Sequence, residues 1–532
     1  MSGGAPQDEA VDVLIAGAGP AGLTLAGELG RAGVRALVLE REPGPPGFCR
    51  AFNLNARSLE LLGRRGLTDR FLAEGPTVPA TAFVGTSHLD LAAMRTGHPY
   101  VLGIPQTRVE ELLTEWAVES GARLVRSRRL TGLQQDADGV TVGTDGADGP
   151  ATVRCRWLAG CDGGRSTVRK ASGTGFPGAP ARTFTLLGDV VLTDPSALPF
   201  GPHTGPGGRS VFAIPRPGHV RLLTEDPAPP DDPHQPVPLE VFQHAVEAAL
   251  GRRAEIARAL WLTRFGDAAR LAERFRTGRV LLAGDAAHIH PPAGAIGVNA
   301  AIDDAVNLGW KLALVARGQA PDTLLDSYHD ERHAAGRRLL RSTRAQAVLA
   351  RVKGDEDPLA PVRDLLAELA SDGDTAGPLA EAITAVATRY PASGDPGHPW
   401  AGRMVPDVPL GGDGGGGLAA LLARSPGGAL LLDGAAGTDA LSAAARPWAD
   451  RVTVARTHPD ALAGARAVLV RPDGHAAWTG AAQAPADAAA EELRAGLTRW
   501  FGHPLRGPGA AWAPASGSRG TAQVRQDPEE TA

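Results

Sequence analysis

The pattern of apolar and polar positions opens with a short hydrophobic run at residues 11–16, interrupted only by Asp12 and followed at once by a glycine-rich turn. A run of this length predicts a strand buried in a parallel sheet. Residues 20–32 then carry apolar side chains at helical spacing, and 35–39 form a second apolar run. One strand–helix–strand unit is thus complete in about 30 residues. Helical spacing returns at 58–74 and 108–121, while 123–142 reads as strand and turn, with Asp138-Gly139 as a hairpin signal.

Over 175–275 the texture changes. Short β-like stretches at 184–191, 210–214 and 220–224 alternate with Pro- and Gly-rich loops, and one helical stretch covers 239–250. This predicts a second layer built on an antiparallel sheet. A strong strand follows at 279–283, then two long helical patterns at 303–317 and 321–352, separated by the Gly318-Gln-Ala-Pro321 break. Residues 1–395 therefore read as one domain interrupted by another: segments 1–174 and 276–395 flank a middle domain at 175–275. A Pro- and Gly-rich linker at 391–409 leads to strand candidates at 428–433, 451–456 and 467–471 and a helix at 487–501. These make a small α/β domain at 396–505, and 506–532 read as a disordered tail. No internal repeat is visible.

Composition narrows the function. A chain of 532 residues exceeds what one core supports, so several domains are expected. A formal net charge of −5 argues against nucleic acid as the main partner. No apolar run approaches the ~18–20 residues that a membrane span needs. The start of the chain lacks the basic and apolar segments of a secretory signal. Cys49, Cys155 and Cys161 form neither a disulfide framework nor a metal-ligand spacing, and a reducing cytoplasm is the expected location.

The glycine-rich turn reads Gly17-Ala-Gly19-Pro20-Ala21-Gly22, which fits G-x-G-x-x-G. That spacing supplies a tight turn, close approach of backbone to a pyrophosphate, and close packing of helix on strand. The following helix turns its N-terminal amides toward the phosphates. Glu40, at the end of the second apolar run, is placed to bind a ribose. The same spacing recurs at 173–178 and 412–417, but neither copy follows an apolar strand, and both read as loops. Only the first copy predicts dinucleotide binding.

Two further segments specify the cofactor. Trp157-Leu-Ala-Gly-Cys-Asp162-Gly-Gly-Arg-Ser166-Thr-Val-Arg169 resembles the second fingerprint of flavoprotein hydroxylases. Arg279-Val-Leu-Leu-Ala-Gly284-Asp285-Ala-Ala-His288-Ile-His290-Pro-Pro292 resembles their Gly-Asp fingerprint. With Arg50, Arg57–Leu62, Ile104-Pro-Gln106, residues 304–312, 326–332 and 469–474, the chain resembles the FAD-dependent aromatic polyketide and rifampicin-type hydroxylases (group A flavoprotein monooxygenases) over residues 10–505.

The resemblance implies an α/β fold: a Rossmann-like FAD-binding domain interleaved with an antiparallel-sheet substrate domain, plus a thioredoxin-like C-terminal domain, here without any Cys-x-x-Cys. It implies that Glu40 takes the adenosine ribose, with Arg41 beside the adenine. Arg50 and Gln106 meet the phosphates and ribityl chain, and Asp162 lies between the pyrophosphate and a visiting NADPH. Gly284 and Asp285 serve the ribityl hydroxyls. Pro292, Gly297, Val298 and Asn299 line the flavin ring, and the helix at 303–317 aims its positive end at the pyrimidine oxygen. No second Rossmann loop exists, so NADPH or NADH is a transient reductant. The implied reaction passes through a flavin C4a-hydroperoxide that hydroxylates an electron-rich ring with O2 as oxygen source. No metal is needed, and His288 and His290 read as parts of a structural turn rather than ligands.

The middle strands offer Phe184, Phe212, Ile214 and Arg221 as candidate substrate contacts; no catalytic side chain is identified. In the flavin loop the family has Gly-Gly-Gln-Gly, whereas this chain has Gly294-Ala295-Ile296-Gly297. Both changes stiffen and dry the loop. The sequence leaves open whether they alter the flavin chemistry or are tolerated drift. Hydroxylation of a polycyclic aromatic leads. Baeyer–Villiger or redox-neutral rearrangement on the same substrate class is a second reading, and a non-catalytic flavin-binding partner a third. The absence of Trp-x-Trp, and of any Lys before Lys170, argues against a halogenase. The C-terminal domain is expected to serve packing or dimer contact, in a monomer or homodimer.

Overall fold

The computed structural model describes residues 11–83, 87–233, 235–350, 357–411, 416–434 and 437–504. The first apolar run forms strand Val11–Ala16 at the centre of an eight-stranded sheet. Parallel neighbours lie on both sides, Val13 opposite Ala36 on one and Trp157 on the other. Val13, Leu14 and Ile15 are fully buried, as a strand covered on both faces requires. Asp12 interrupts the run without cost because it lies at the sheet margin, 3.0 Å from Arg35. Helix Pro20–Arg31 returns the chain to strand Ala36–Leu39, and strand Arg123–Val125 pairs outside it. On the far side, strand Gly149–Gly160 pairs in parallel with Val280–Leu282, so the strand after the middle segment rejoins the first sheet. The 123–142 region also supplies two antiparallel strands, Arg128–Gln135 and Val140–Gly146, that extend the same sheet.

The middle segment is a five-stranded antiparallel sheet in the order Gly201–Thr204, Ser210–Arg216, His219–Glu225, Phe184–Leu192, Ile256–Gly266. Helix Leu239–Leu250 covers one face, where Leu186, Val190, Val211, Ala213, Val220 and Leu222 pack with Phe242 and Val246. The last strand was not read from the sequence, because Arg258 and Arg264 break its apolar alternation. Arg264 is held 2.5 Å from Asp226.

Three helices differ from the sequence reading. The expected 58–74 helix is two, Ala56–Gly63 and Thr68–Leu72; Gly66 takes φ +72° between them and the Leu67 amide closes on the Leu62 carbonyl. The helix expected from 303 begins at Gly297 and runs to Ala316. The next one opens with a 3-10 turn, Asp322–Leu325, before the α-helix Asp326–Leu349. Helices Ala360–Ser371 and Gly373–Ile383 were not anticipated.

The C-terminal sheet runs Ser393–Gly394, Ala476–Ala481, Ala465–Val470, Gly428–Leu432, Val452–Arg456, with its last two strands parallel. The segment read as a linker thus contributes its edge. Helix Ala486–Phe501 buries Trp500 and Phe501 against Trp310 of helix Gly297–Ala316, with ring centroids 6.4 and 6.3 Å apart. The apolar core is continuous across this contact. The proposed tail and the Gly412–Gly415 portion of the third glycine repeat lie outside the described residues. Among the described residues, no helix is long and apolar enough to cross a membrane.

Candidate flavin site

The three glycine-bearing turns meet at the C-terminal ends of the parallel strands. Gly17 has φ +103°, and a Cβ there would stand 2.4 Å from the Cys161 carbonyl oxygen and 3.1 Å from the Cα of Asp162. Gly284 has φ +62°, and a Cβ there would touch Ala21 at 3.1 Å. The first turn therefore packs against the second, and the third packs against the helix that follows the first. Gly22 is needed for a different reason: a Cβ would lie 1.9 Å from the Gly17 carbonyl oxygen. Gly19 is the exception. Nothing lies within 4 Å of its would-be Cβ, so an open space borders the start of helix Pro20–Arg31. That helix has Pro20 in its first turn and no side-chain cap at Gly19. Its leading amides and dipole face a cleft that suits a diphosphate.

Carboxylates ring this cleft. Glu40 accepts hydrogen bonds from the amides of Ala18 at 2.7 Å and Glu42 at 2.9 Å, which fixes it beside the turn. Arg41 is exposed and paired with Glu42 at 3.1 Å. Asp285 is exposed at the strand end, and no protein donor among the described residues is bonded to its carboxylate. Asp162 is differently engaged: it accepts from Ser166 Oγ at 2.5 Å and from the amides of Thr167 and Val168 at 2.6 and 3.1 Å. It holds the start of the short helix Thr167–Ala171, beside the Gly17 turn. Arg50 is exposed. Gln106 donates to Glu110 at 2.8 Å. Glu110 was not singled out from the sequence; burial raises its carboxyl above the usual range, and Glu40 and Arg50 lie near enough to influence it.

Helix Gly297–Ala316 projects a row of buried polar side chains, with 3% exposure for Asn299, 4% for Asp303 and none for Asp304. Asn299 Oδ1 accepts from the Asn55 amide at 2.8 Å and Ser58 Oγ at 2.7 Å. Asp303 meets Arg57 at 2.8 Å and Arg332 at 2.6 Å. Burial alone would raise its carboxyl, but Arg332 and Arg57 outweigh it and hold the group at about 2. Asp304 accepts from the Gly284 amide at 3.0 Å, from His288 at 2.7 Å and from Arg332 at 2.7 Å. His288 is thus tied to a carboxylate, and His290 bonds the Pro291 carbonyl at 2.8 Å. In the flavin loop Pro292 and Gly294 are exposed, Val298 is buried, and Gly297 is half-buried. Ile296 is buried and folds over Gly294, whose would-be Cβ lies 3.2 Å from the isoleucine Cδ1.

The sequence-derived substrate candidates separate. Phe212, Ile214 and Arg221 alternate onto the face of the middle sheet away from the covering helix. Phe184 has the parity of Leu186 and Val190, which puts it on the helix-covered face. Arg221 is 2% exposed and paired with Asp189 at 2.7 Å. It also donates to the Cys49 carbonyl and stacks 4.4 Å from Phe52, so its Nε and Nη2 donors are taken by the protein. The segment around Phe48 lies across this open face, Phe48 stacked on Trp261 at 4.3 Å and Arg216 on Phe52 at 3.7 Å. Trp261 belongs to this aromatic wall.

Three glycine turns that converge at the ends of parallel strands, with Glu40, Asp162 and Asp285 beside them, fit an FAD-binding flavoprotein fold. The FAD binding domain family matches residues 10–343, and the aromatic-ring hydroxylase C-terminal family matches 398–504. The chain is 42% identical over 514 residues to the 12-dehydrotetracycline 5-monooxygenase/anhydrotetracycline 6-monooxygenase of Streptomyces rimosus, covering 93% of this chain and 99% of the relative. It is 42% identical over 508 residues to the rifampicin monooxygenase of Streptomyces venezuelae, covering 92% and 98%. The solved structure of an anhydrotetracycline hydroxylase from Streptomyces rimosus superposes with a TM-score of 0.85 at 41% identity, covering 93% of this chain and all of the other. The chain belongs to the family of FAD-dependent aromatic-ring monooxygenases.

Proposed function

We propose that the protein hydroxylates a polycyclic aromatic of the polyketide type, using NADPH or NADH and O2. Atoms balance as ring C–H plus O2, reduced nicotinamide and a proton, giving ring C–OH, water and oxidised nicotinamide. The observation that carries the reading is the 48–52 segment, which links Gln106 to a middle-sheet face carrying Phe212, Ile214 and Trp261. A flat apolar ligand suits such a wall. The tetracycline and rifampicin relatives support the same substrate class.

FAD, when bound, passes electrons from the nicotinamide to O2 and so delivers the oxygen atom that enters the ring. Each other part belongs to the chain. The amides after Gly19 and the glycines of the turn hold the diphosphate, and Glu40 binds the adenosine ribose. Arg41 lies beside the adenine, while Arg50 and Gln106 meet the phosphates and ribityl chain. Asp285 accepts from the ribityl hydroxyls. Asp162 acts chiefly by shaping the second turn. Pro292, Gly297, Val298 and Asn299 form the wall beside the flavin ring, and helix Gly297–Ala316 turns its positive end toward the pyrimidine oxygen, where negative charge grows on reduction. Arg221 fixes the 48–52 segment on the middle sheet instead of touching substrate.

In this reading 1–174 and 276–395 form the FAD domain, 175–275 the substrate domain, and 396–505 a thioredoxin-like domain without a redox pair, active as a cytoplasmic monomer or homodimer. Incubation with tetracyclic and angular polyketides, NADPH and 18O2, followed by mass spectrometry, tests the proposal. A product heavier by one labelled oxygen, with one NADPH consumed, supports it. A product of unchanged mass made without NADPH would replace it with redox-neutral rearrangement.

A further inference from the structure

A buried polar assembly joins the C-terminal segment to the flavin side of the chain. Arg471 pairs with Glu331 at 2.6 Å and with Asp473 at 2.5 Å. Lys311 meets Glu331 at 2.8 Å, and Asp473 accepts from Trp310 Nε1 at 3.2 Å. His475, fully buried, places its Nε2 2.9 Å from Arg57. We propose that His475 is a positioning residue for the flavin site: by holding Arg57 it fixes the first turns of helix Gly297–Ala316. The inference rests on the FAD reading and adds to it a residue from outside the FAD-binding family match.

Helix Ala56–Gly63 provides the grip on that helix. Its neighbouring residues Arg57 and Ser58 grip two side chains one turn apart on the flavin-facing helix, Asp303 at 2.8 Å and Asn299 at 2.7 Å. The two gripped positions lie in the opening turns of helix Gly297–Ala316. Arg57 gives Nε and Nη2 to one Asp303 oxygen at 3.3 and 2.8 Å, and its Nη1 reaches only the weak acceptor of the Met404 sulfur at 4.0 Å, so donors are left for a second strong acceptor. His475 supplies the next fixed point. Because Arg57 can only donate, Nε2 of His475 must accept, and Nδ1 carries the proton and donates it to the Gly402 carbonyl at 2.9 Å. Tyr390 packs on the imidazole, ring centroids 4.3 Å apart. A neutral acceptor satisfies Arg57 without adding charge to a cluster in which Arg57 and Arg332 already balance Asp303 and Asp304. Asp304 in turn holds the Gly284 amide, next to Asp285. A shift of Arg57 therefore reaches both the helix end and the Gly284 turn.

The test uses the full chain reconstituted with FAD and compares wild type, His475→Phe and His475→Gln. Phenylalanine keeps a ring against Tyr390 but cannot accept from Arg57; glutamine restores an acceptor. The readouts are FAD affinity by fluorescence titration, the visible absorption bands of bound flavin, its midpoint potential and thermal unfolding. His475→Phe is expected to weaken FAD binding at least about tenfold and to shift the bands and potential, with His475→Gln recovering most of the change. A folded His475→Phe protein with unchanged affinity, bands and potential overturns the proposal, as does equal perturbation in His475→Gln. Should His475→Phe not fold, Arg57→Lys serves, since it keeps the charge toward Asp303 and loses the bridge; unaltered flavin properties there also overturn it. Failure of the wild-type protein to take up FAD would instead overturn the flavin reading itself.

Discussion

Gly17 and Cys161 come so close that a methyl group on the glycine would stand 2.4 Å from the cysteine carbonyl oxygen. Two turns separated by most of a domain in sequence are thereby locked backbone to backbone. Gly19, two residues on, has no protein atom within 4 Å of the same point and an ordinary φ of −83°.

The two glycines should respond in opposite ways to alanine. Gly17→Ala is expected to lower the thermal midpoint and lose FAD together, since both the positive φ and the contact are forbidden to a side chain. Gly19→Ala is expected to unfold within about 0.5 kcal/mol of wild type yet bind FAD poorly, because its methyl enters space kept for the diphosphate. Parallel calorimetry and FAD titration check the pair. Full FAD affinity in Gly19→Ala would mean that the cleft is not the cofactor's.

Glu40 is held by two backbone amides. Glu40→Ala is expected to weaken FAD about ten- to hundredfold, the range of a lost charge-assisted hydrogen bond. Glu40→Gln should fall between. Fluorescence titration of the apoprotein reads the effect directly.

Arg221 and Asp189 form a pair nearly closed to water. Arg221→Ala leaves the aspartate buried without its partner and should cost about 3–5 kcal/mol in denaturant unfolding. A double replacement by apolar residues should cost less than the single one. An unchanged unfolding curve with a raised KM would restore Arg221 to substrate contact.

The C-terminal cluster predicts loss of stability on acidification. Burial, with Arg57 beside it, pushes the His475 imidazole down to about 3, whereas an unfolded histidine titrates near 6.5. Between those values the unfolded chain binds a proton that the folded one refuses, so stability falls as pH drops from ~6.5. Glu331 adds to this: burial would raise it, but Arg471 and Lys311 hold it at about 2, so its contribution is lost as pH falls below the ordinary glutamate range. Thermal midpoints from pH 7 to 4 should decline steadily, and less steeply in His475→Phe. A flat profile would contradict the assignment of a neutral buried imidazole.

The first strand–helix–strand unit was legible because its signal is local. An apolar run, three glycines and an acid after the second run each answer to their own neighbourhood, and the structure places Glu40 on the amides of that very turn. Helix 58–74 was misread as continuous because apolar spacing persists through Gly66, whose positive φ ends the first helix. Strand Ile256–Gly266 was missed because Arg264 looks like a surface residue until Asp226, just past the end of strand His219–Glu225, is brought to it. For the same reason Arg221 passed as a ligand contact: its partner Asp189 is on the adjacent strand, and nothing in either residue's own surroundings announces the pairing.

By itself the sequence determined the periodic elements, the glycine turns and the cofactor class, since period, φ preference and phosphate binding are properties of short segments. Only the tertiary structure decided which polar residues face the flavin cleft and which are consumed in buried pairs. The ladder from His475 through Arg57 to Asp303 joins residues hundreds of positions apart, and a burial penalty on charge exists only once the chain has folded around it.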